Sequence, residues 1–306
     1  MSSLRAELVE YLAVRRALGY KLDTAERLLG RFIDYLEARG EQRITIERAL
    51  SWAILPGGHP GYHAHRLQTV RRFARYLHAA DSEVEVPPAG LLTGRSQRAT
   101  PYLYTDEQIS ALIAAAKMLG TAHRTATFQV LIGVLAVTGM RLGEAIGLDR
   151  DDLDSRYGVL TVHGKYGKAR ELPLHPTAVD AVCRYLRRRD RPPSPPDERA
   201  LLVSEAGTRL LASNVQHTFG RMRARAGIAP RSAACRPRLH DVRHSFAVRT
   251  LLDAYRDEVD VGARLASLST YLGHLEPSMT YWYLDAAPEL MGLAAERLER
   301  SIGRAS

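Results

Sequence analysis

Cysteine and lysine are scarce in this chain of 306 residues, which has two cysteines and four lysines against 39 arginines. Cys183 and Cys235 stand in no metal-ligand spacing. A disulfide framework and a cysteine zinc site are therefore not expected, and a reducing compartment is. Long hydrophobic runs are missing too. The longest apolar stretch, Thr125–Met140, is closed off by Arg124 and Arg141 and is too short for a membrane span, so it reads as a buried helix. Charges throughout Met1–Glu10 leave no signal-peptide core, and no internal repeat is evident. These absences describe a soluble protein of the cytoplasm with no membrane association.

Hydrophobic residues at 45% and charged residues at 25% are ordinary globular composition, and the length suffices for two domains with separate cores. The net charge is +9. Basic residues exceed acidic ones by four in 1–100, two in 101–200 and three in 201–306, so the charge is spread and not gathered in a tail. A basic excess along the whole chain suits a partner carrying many phosphates, contacted over a long path. Arginine cannot give up its proton and lysine can, so the few lysines are worth inspecting as proton donors.

Residues 1–88 read as all-helical. Leu8, Leu12 and Leu18 suggest one apolar stripe, Leu28, Leu29, Phe32 and Leu36 a second, and Thr45–Ile54 a third helix ended by Pro56-Gly57-Gly58. A fourth helix over Tyr62–Ala79 carries Arg66, Arg71, Arg72 and Arg75 beside its apolar face, and these are candidate phosphate contacts. Residues 89–102 form a linker rich in Pro, Gly and polar residues. The rest, 103–306, opens with a capping box at Thr105-x-x-Gln108 and is mainly helical. Strands are expected at Gly158–His163, Arg170–Leu174 and Ala200–Ser204, and a helical tail starts at about 286. The fold class is mainly α with a small β-hairpin or sheet. His59, His63 and His65 lack an acidic or cysteine partner, and no metal site is assigned to them.

Four clusters carry chemistry. Arg141 and Glu144, three apart, share one helical face, where the carboxylate could hold a guanidinium aimed at phosphate. Gly164-Lys165-Tyr166-Gly167-Lys168 is a tight turn presenting two of the four lysines, in a setting unlike a phosphate-binding P-loop. In His240-Asp241-Val242-Arg243-His244, an imidazole and a guanidinium lie about one turn apart. Leu272-Gly273-His274 is followed by Tyr281 and Tyr283; a tyrosine flanked by cationic groups can attack phosphorus.

Thr138-Gly139-Met140-Arg141-Leu142-Gly143-Glu144, the Lys hairpin, His240-Asp241-Val242-Arg243-His244, Leu272-Gly273-His274 and the following Tyr resemble, in this order, the tyrosine recombinase (phage integrase) family. The match spans roughly Thr105–Tyr283, and residues 1–88 resemble that family's helical core-binding domain in layout. The resemblance implies that Tyr283 is the nucleophile, forming a 3′-phosphotyrosyl bond. Arg141 and Arg243 would hold the non-bridging phosphate oxygens, and Lys165 would act as general acid. His240 would be general base, His274 would add a hydrogen bond to the phosphate, and Glu144 would support Arg141. Tyr283 is preferred to Tyr281 because nine residues after the histidine is the family's usual spacing; Lys165 is preferred to Lys168 because it directly follows the first strand and Gly164.

The resemblance further implies strand exchange on double-stranded DNA through a Holliday junction without metal or other cofactor. A homotetramer on two DNA sites, nucleoid-associated, would carry it out, with accessory recombinases as further partners. Leu290, Leu293, Ala294 and Leu298 in the tail would dock either on a neighbouring protomer or on their own domain. A role on a mobile element is favoured. The alternatives are a chromosome-dimer-resolving recombinase, a type IB topoisomerase, and a catalytically silent DNA-binding accessory protein.

Overall fold

The computed structural model describes residues 3–92, 100–164, 168–257, 259–274, 280–281 and 288–303. The chain divides into two compact units, Met1–Arg98 and Ala99–Ser306. Among the described residues both units are mainly helical, and the second adds one small antiparallel sheet.

The first unit contains helices α1 (Ser3–Ala17), α2 (Asp23–Glu37), α3 (Ile46–Ala53) and α4 (Pro60–His78). Its core is built by Phe32, Ile33 and Leu36 of α2, Trp52 of α3, and Val70, Phe73 and Ala74 of α4. On α1 the buried residues are Leu4, Leu8, Tyr11 and Leu12, whereas Leu18 lies beyond the helix end and is 65% exposed. Six residues past Leu12 is about 240° further round a helix, which removes Leu18 from the stripe expected of it. Helix α4 starts two residues earlier than expected because Pro60 fits its first turn, where a missing N–H costs nothing.

The α4 arginines divide into two kinds. Arg66 is half-buried, with its guanidinium near the rings of Trp52 (5.1 Å) and Tyr62 (4.9 Å) and donating to Leu55 O at 3.2 Å. Arg71 donates to Pro87 O at 2.8 Å. Both therefore tie α4 to the chain around it, while Arg72 and Arg75 are exposed. Arg66→Ala should lower the stability of this unit by about 1–2 kcal/mol, the scale of a ring-packed cation with a carbonyl partner. Arg72→Ala should change stability by less than about 0.5 kcal/mol. If Arg72 contacts a phosphate, its loss reduces the slope of log affinity against log salt by about one. Denaturant midpoints and a salt titration of DNA binding check both.

In the second unit, α5 (Asp106–Ala115) begins at the expected capping box: Thr105 Oγ1 accepts from Gln108 N and Gln108 Oε1 from Thr105 N, each at 3.2 Å. Helix α6 (Ala122–Thr138) is the centre of this unit, with Leu131, Ile132 and Leu135 buried. The sheet runs β1 (Leu153–Asp154), β2 (Val159–His163), β3 (Ala169–Pro173), with Leu160 facing Leu172 and Val162 facing Arg170.

The expected strand Ala200–Ser204 is not in this sheet. It forms only isolated bridges, Asp149 with Ala200 and Val203 with Arg209. Its apolar residues are fully buried, yet its backbone is satisfied locally: Arg191 donates to Ala200 O and Leu201 O, each at 2.9 Å, and Leu201 N donates to Leu148 O at 2.8 Å. A buried apolar run with such partners needs no neighbouring strand.

Further α-helices among the described residues are α7 (Leu142–Gly147), α8 (Pro176–Leu186), α9 (Ala212–Arg225), α10 (Asp241–Arg256), α11 (Val261–Leu272) and α12 (Pro288–Gly303). In the tail, Leu290 of α12 is 1% exposed and joins Leu251, Leu265, Leu268 and Leu272 of its own unit. Glu289 accepts from Arg256 at 2.8 Å. No described helix is long and apolar enough to cross a membrane.

Candidate active site

The end of α11 organises the site. Gly273 adopts a left-handed conformation (φ 66, ψ 46), and two backbone bonds close the helix: Gly273 N to Thr270 O at 2.9 Å and His274 N to Ser269 O at 3.0 Å. This Schellman arrangement leaves the next three carbonyls to find partners elsewhere. Each receives an arginine. Arg170 Nε donates to Tyr271 O at 2.8 Å, Arg243 Nη2 to Leu272 O at 2.8 Å, and Arg141 Nη2 reaches Gly273 O at 3.5 Å. A Cβ at Gly273 would meet the Arg170 guanidinium at 3.0 Å, so glycine is required by both backbone and space.

Arg141 precedes α7, and Glu144 turns back on it. Glu144 Oε2 accepts from Arg141 N at 2.8 Å, and Oε1 accepts from Arg141 Nη1 at 3.0 Å. The same carboxylate receives Arg170 through Nη1 at 3.2 Å and Nη2 at 2.9 Å. Burial pushes the Glu144 carboxyl up, but hydrogen bonds from Arg170 and the Arg141 amide outweigh it and hold the group below its ordinary value. Glu144 is therefore a fixed anion shared by two guanidiniums.

Arg170 was not among the residues singled out from the sequence. A signal was present: in β3 it lies two residues before buried Leu172, on the inward face. An arginine on the inner face of a strand requires a carboxylate or carbonyls to meet it.

Helix α10 supplies Arg243, which is 3% exposed. Its Nη1 donates to Gly139 O at 2.9 Å, and its Nη2 lies 2.9 Å from His274 Nε2. The helix start is locked by Asp241, fully buried, whose Oδ2 accepts from Arg238 N at 2.8 Å and whose Oδ1 accepts from Arg238 Nη2 at 2.8 Å. Ser245 Oγ donates to Asp241 O at 2.9 Å and accepts from Tyr104 N at 2.7 Å.

His240 has an exposed edge, but its ring is crowded by His244, edge-on at 4.9 Å. Burial and the neighbouring Arg243 charge lower its pKa, against a smaller opposing pull from Asp241. At pH 7 it is neutral and can accept a proton. His240 and Arg243, with Gln216 of α9, border a pocket of about 290 Å³ walled by Leu135, Met140, Leu142 and Leu239. A larger open depression of about 590 Å³ around Glu41 and Arg48 in the first unit contains none of the candidate site residues.

His274 is more strongly affected: burial, then the charge of Arg243, lowers its pKa from 6.5 to about 4. Between those values an unfolded chain binds a proton that the folded one refuses, so stability rises with pH across this window. The denaturant midpoint should therefore fall as pH is lowered from about 6.5 towards 4, with His240 contributing in the same sense. His274→Asn should flatten that dependence; an unchanged slope would contradict the buried neutral ring.

The structure thus brings Arg141, Glu144, His240, Arg243 and His274 together. Lys165, Tyr283 and most of the helix expected over 278–283 lie outside the described residues. At the hairpin base Gly164 N donates to Lys168 O at 2.7 Å, and Lys168 is exposed. Tyr281 is 55% exposed. Among the described residues no three His, Cys, Asp or Glu side chains are grouped as metal ligands.

Known proteins resemble this chain in sequence and in fold. Residues 103–289 match the phage integrase family. The chain is 42% identical to the inferred integrase/recombinase y4rB of Sinorhizobium fredii over 98% of each protein. It is 31% identical to the tyrosine recombinase XerC of Alcanivorax borkumensis, covering 82% of this chain and 81% of that one. The fold matches that of the Tn1549 transposon integrase in complex with a circular intermediate DNA, with a TM-score of 0.65 at 17% identity over 95% of this chain and 99% of the other. XerH site-specific recombinase in a post-cleavage complex gives 0.65 at 19% identity over 91% and 80%. The chain belongs to the phage integrase family, the tyrosine recombinases, whose members cleave and rejoin DNA strands.

Proposed function

We propose that this protein is a site-specific recombinase of a mobile element, cutting double-stranded DNA through Tyr283. The observation that carries the reading is the convergence of Arg141 and Arg243 at the end of α11, with neutral His240 beside them. Two fixed guanidiniums suit the two non-bridging oxygens of one phosphodiester. His240 takes the Tyr283 phenolic proton as the oxygen attacks phosphorus. The 5′-oxygen leaves with a proton from Lys165, and a 3′-phosphotyrosyl bond remains. Attack by the 5′-hydroxyl of another strand runs the same steps backwards, through a Holliday junction. The phosphodiester energy is kept in the covalent bond, so the scheme consumes no nucleotide.

The four-protomer assembly on two DNA sites, nucleoid association, and phosphate contacts from Arg72, Arg75 and Lys168 belong to the same proposal. The likeness of fold to the Tn1549 transposon integrase supports the mobile-element role.

The test is to trap the protein on DNA recovered from the source cell under denaturing lysis and map the DNA-linked peptide. Linkage through Tyr283 at a defined sequence is the expected result. Linkage through Tyr281 would reassign the nucleophile, and DNA recovered only without a covalent bond would favour the silent binding protein.

A further inference from the structure

The hydrogen bonds around His274 determine which of its nitrogens carries the proton. Nε2 lies 2.9 Å from Arg243 Nη2. A guanidinium only donates and keeps its protons, so Nε2 accepts. A ring that accepts at Nε2 is neutral with its proton on Nδ1. Nδ1 lies 2.7 Å from Thr280 Oγ1, which must then be the acceptor. Thr280 is fully buried, so no solvent competes for that bond. In the other tautomer two N–H groups would face each other across the Arg243 contact. The lowered pKa of His274, about 4, agrees with a ring that stays neutral.

We propose that Thr280 is a positioning residue of the active site: its hydroxyl oxygen holds His274 in the Nδ1–H tautomer, and His274 Nε2 in turn orients the Arg243 guanidinium. The inference rests on the recombinase reading for what Arg243 is oriented towards. In the DNA-free protein the single N–H of the neutral ring points to Thr280. Arg243 is then fixed on three sides, by Gly139 O, Leu272 O and His274 Nε2. A fork so held needs no rearrangement when an anion arrives.

The test uses the full-length protein labelled with 15N in its histidine rings and free of DNA, with the His274 signal identified by its loss in His274→Asn. Two-bond proton–nitrogen correlations at pH 7 should show the proton on Nδ1 in the wild type and in Thr280→Ser. In Thr280→Val the pattern should shift to Nε2 protonation or to an average of the two. In single-turnover formation of the covalent adduct on a nicked suicide duplex, Thr280→Val should be about 10- to 100-fold slower with unchanged DNA affinity. That is the scale on which losing the partner that orients a histidine acts. Thr280→Ser should recover to within about threefold of wild type.

A wild-type His274 protonated on Nε2 overturns the proposal, as does Thr280→Val with an unchanged tautomer and cleavage within about twofold of wild type. Should Thr280→Val fail to fold, Thr280→Ser decides: tautomer and cleavage kept supports the assignment, and either one lost overturns it. The tautomer is read without DNA, so a protein that never cleaves DNA defeats the recombinase reading and is told apart from a misplaced proton.

Discussion

Arg243→Ala is expected to slow covalent-adduct formation by about 10³-fold, the upper end for removing one preorganised donor from a developing anion. The structure explains why the loss should be at that end. Arg243 is almost fully buried and donates to Gly139 O and Leu272 O, at the ends of two different helices. Alanine removes the phosphate clamp and leaves both carbonyls without this donor, at about 1–3 kcal/mol for each buried group. Arg243→Lys separates the two effects. An ammonium keeps the positive charge but is a point donor on a flexible stem and cannot span both carbonyls. It should fold with a higher denaturant midpoint than Arg243→Ala and recover less than about a tenth of the lost rate. Adduct formation by Arg243→Ala within about tenfold of wild type would remove Arg243 from the reaction.

Gly139→Ala should damage both stability and cleavage although it touches no charged side chain. Gly139 ends α6 in a left-handed conformation (φ 60), with its N–H on Leu135 O at 3.0 Å. A Cβ there would lie 2.4 Å from Phe246 Cδ1, 2.9 Å from Cγ and 3.2 Å from Leu272 Cδ2. Phe246 stacks on Tyr271 at 5.7 Å and cannot retreat without breaking that contact. The left-handed backbone costs about 1 kcal/mol without glycine, and overpacking adds about 1–3 kcal/mol. Because Gly139 O also receives Arg243, the displacement reaches the clamp, and adduct formation should fall along with the denaturant midpoint. A variant that loses stability but cleaves at the wild-type rate would show that the clamp tolerates movement of the α6 end.

Short-range spacing made much of this site legible in advance. Arg141 and Glu144 meet because they are three apart at a helix start, and His240 and Arg243 share the first turn of α10 for the same reason. The capping box at Thr105 and Gln108 is equally local. What escaped was set by distant partners. Arg170 is one of 39 arginines, and nothing near it in sequence says that it will meet Glu144 twenty-six residues away. Thr280 carries a common side chain whose significance comes only from His274 Nδ1. Leu18 was placed in a stripe that the helical period does not allow, and Ala200–Ser204 has a strand's composition but loop partners. Arg66 and Arg71 look like Arg72 in sequence, and only tertiary contacts separate them.

The three arginines at the end of α11 have a consequence for how the protein meets its substrate. An ion pair holds a guanidinium still but discharges it, so a site built from ion pairs is rigid and electrically mute. A carbonyl oxygen brings a dipole and no net charge, so it steadies a cation while leaving its full unit of charge to act at a distance. Tyr271, Leu272 and Gly273 provide three such anchors, and the carboxylate of Glu144 is shared between Arg141 and Arg170. The helix end therefore works as an insulated mount: its three carbonyls steady the arginines without consuming the field that draws in the DNA backbone.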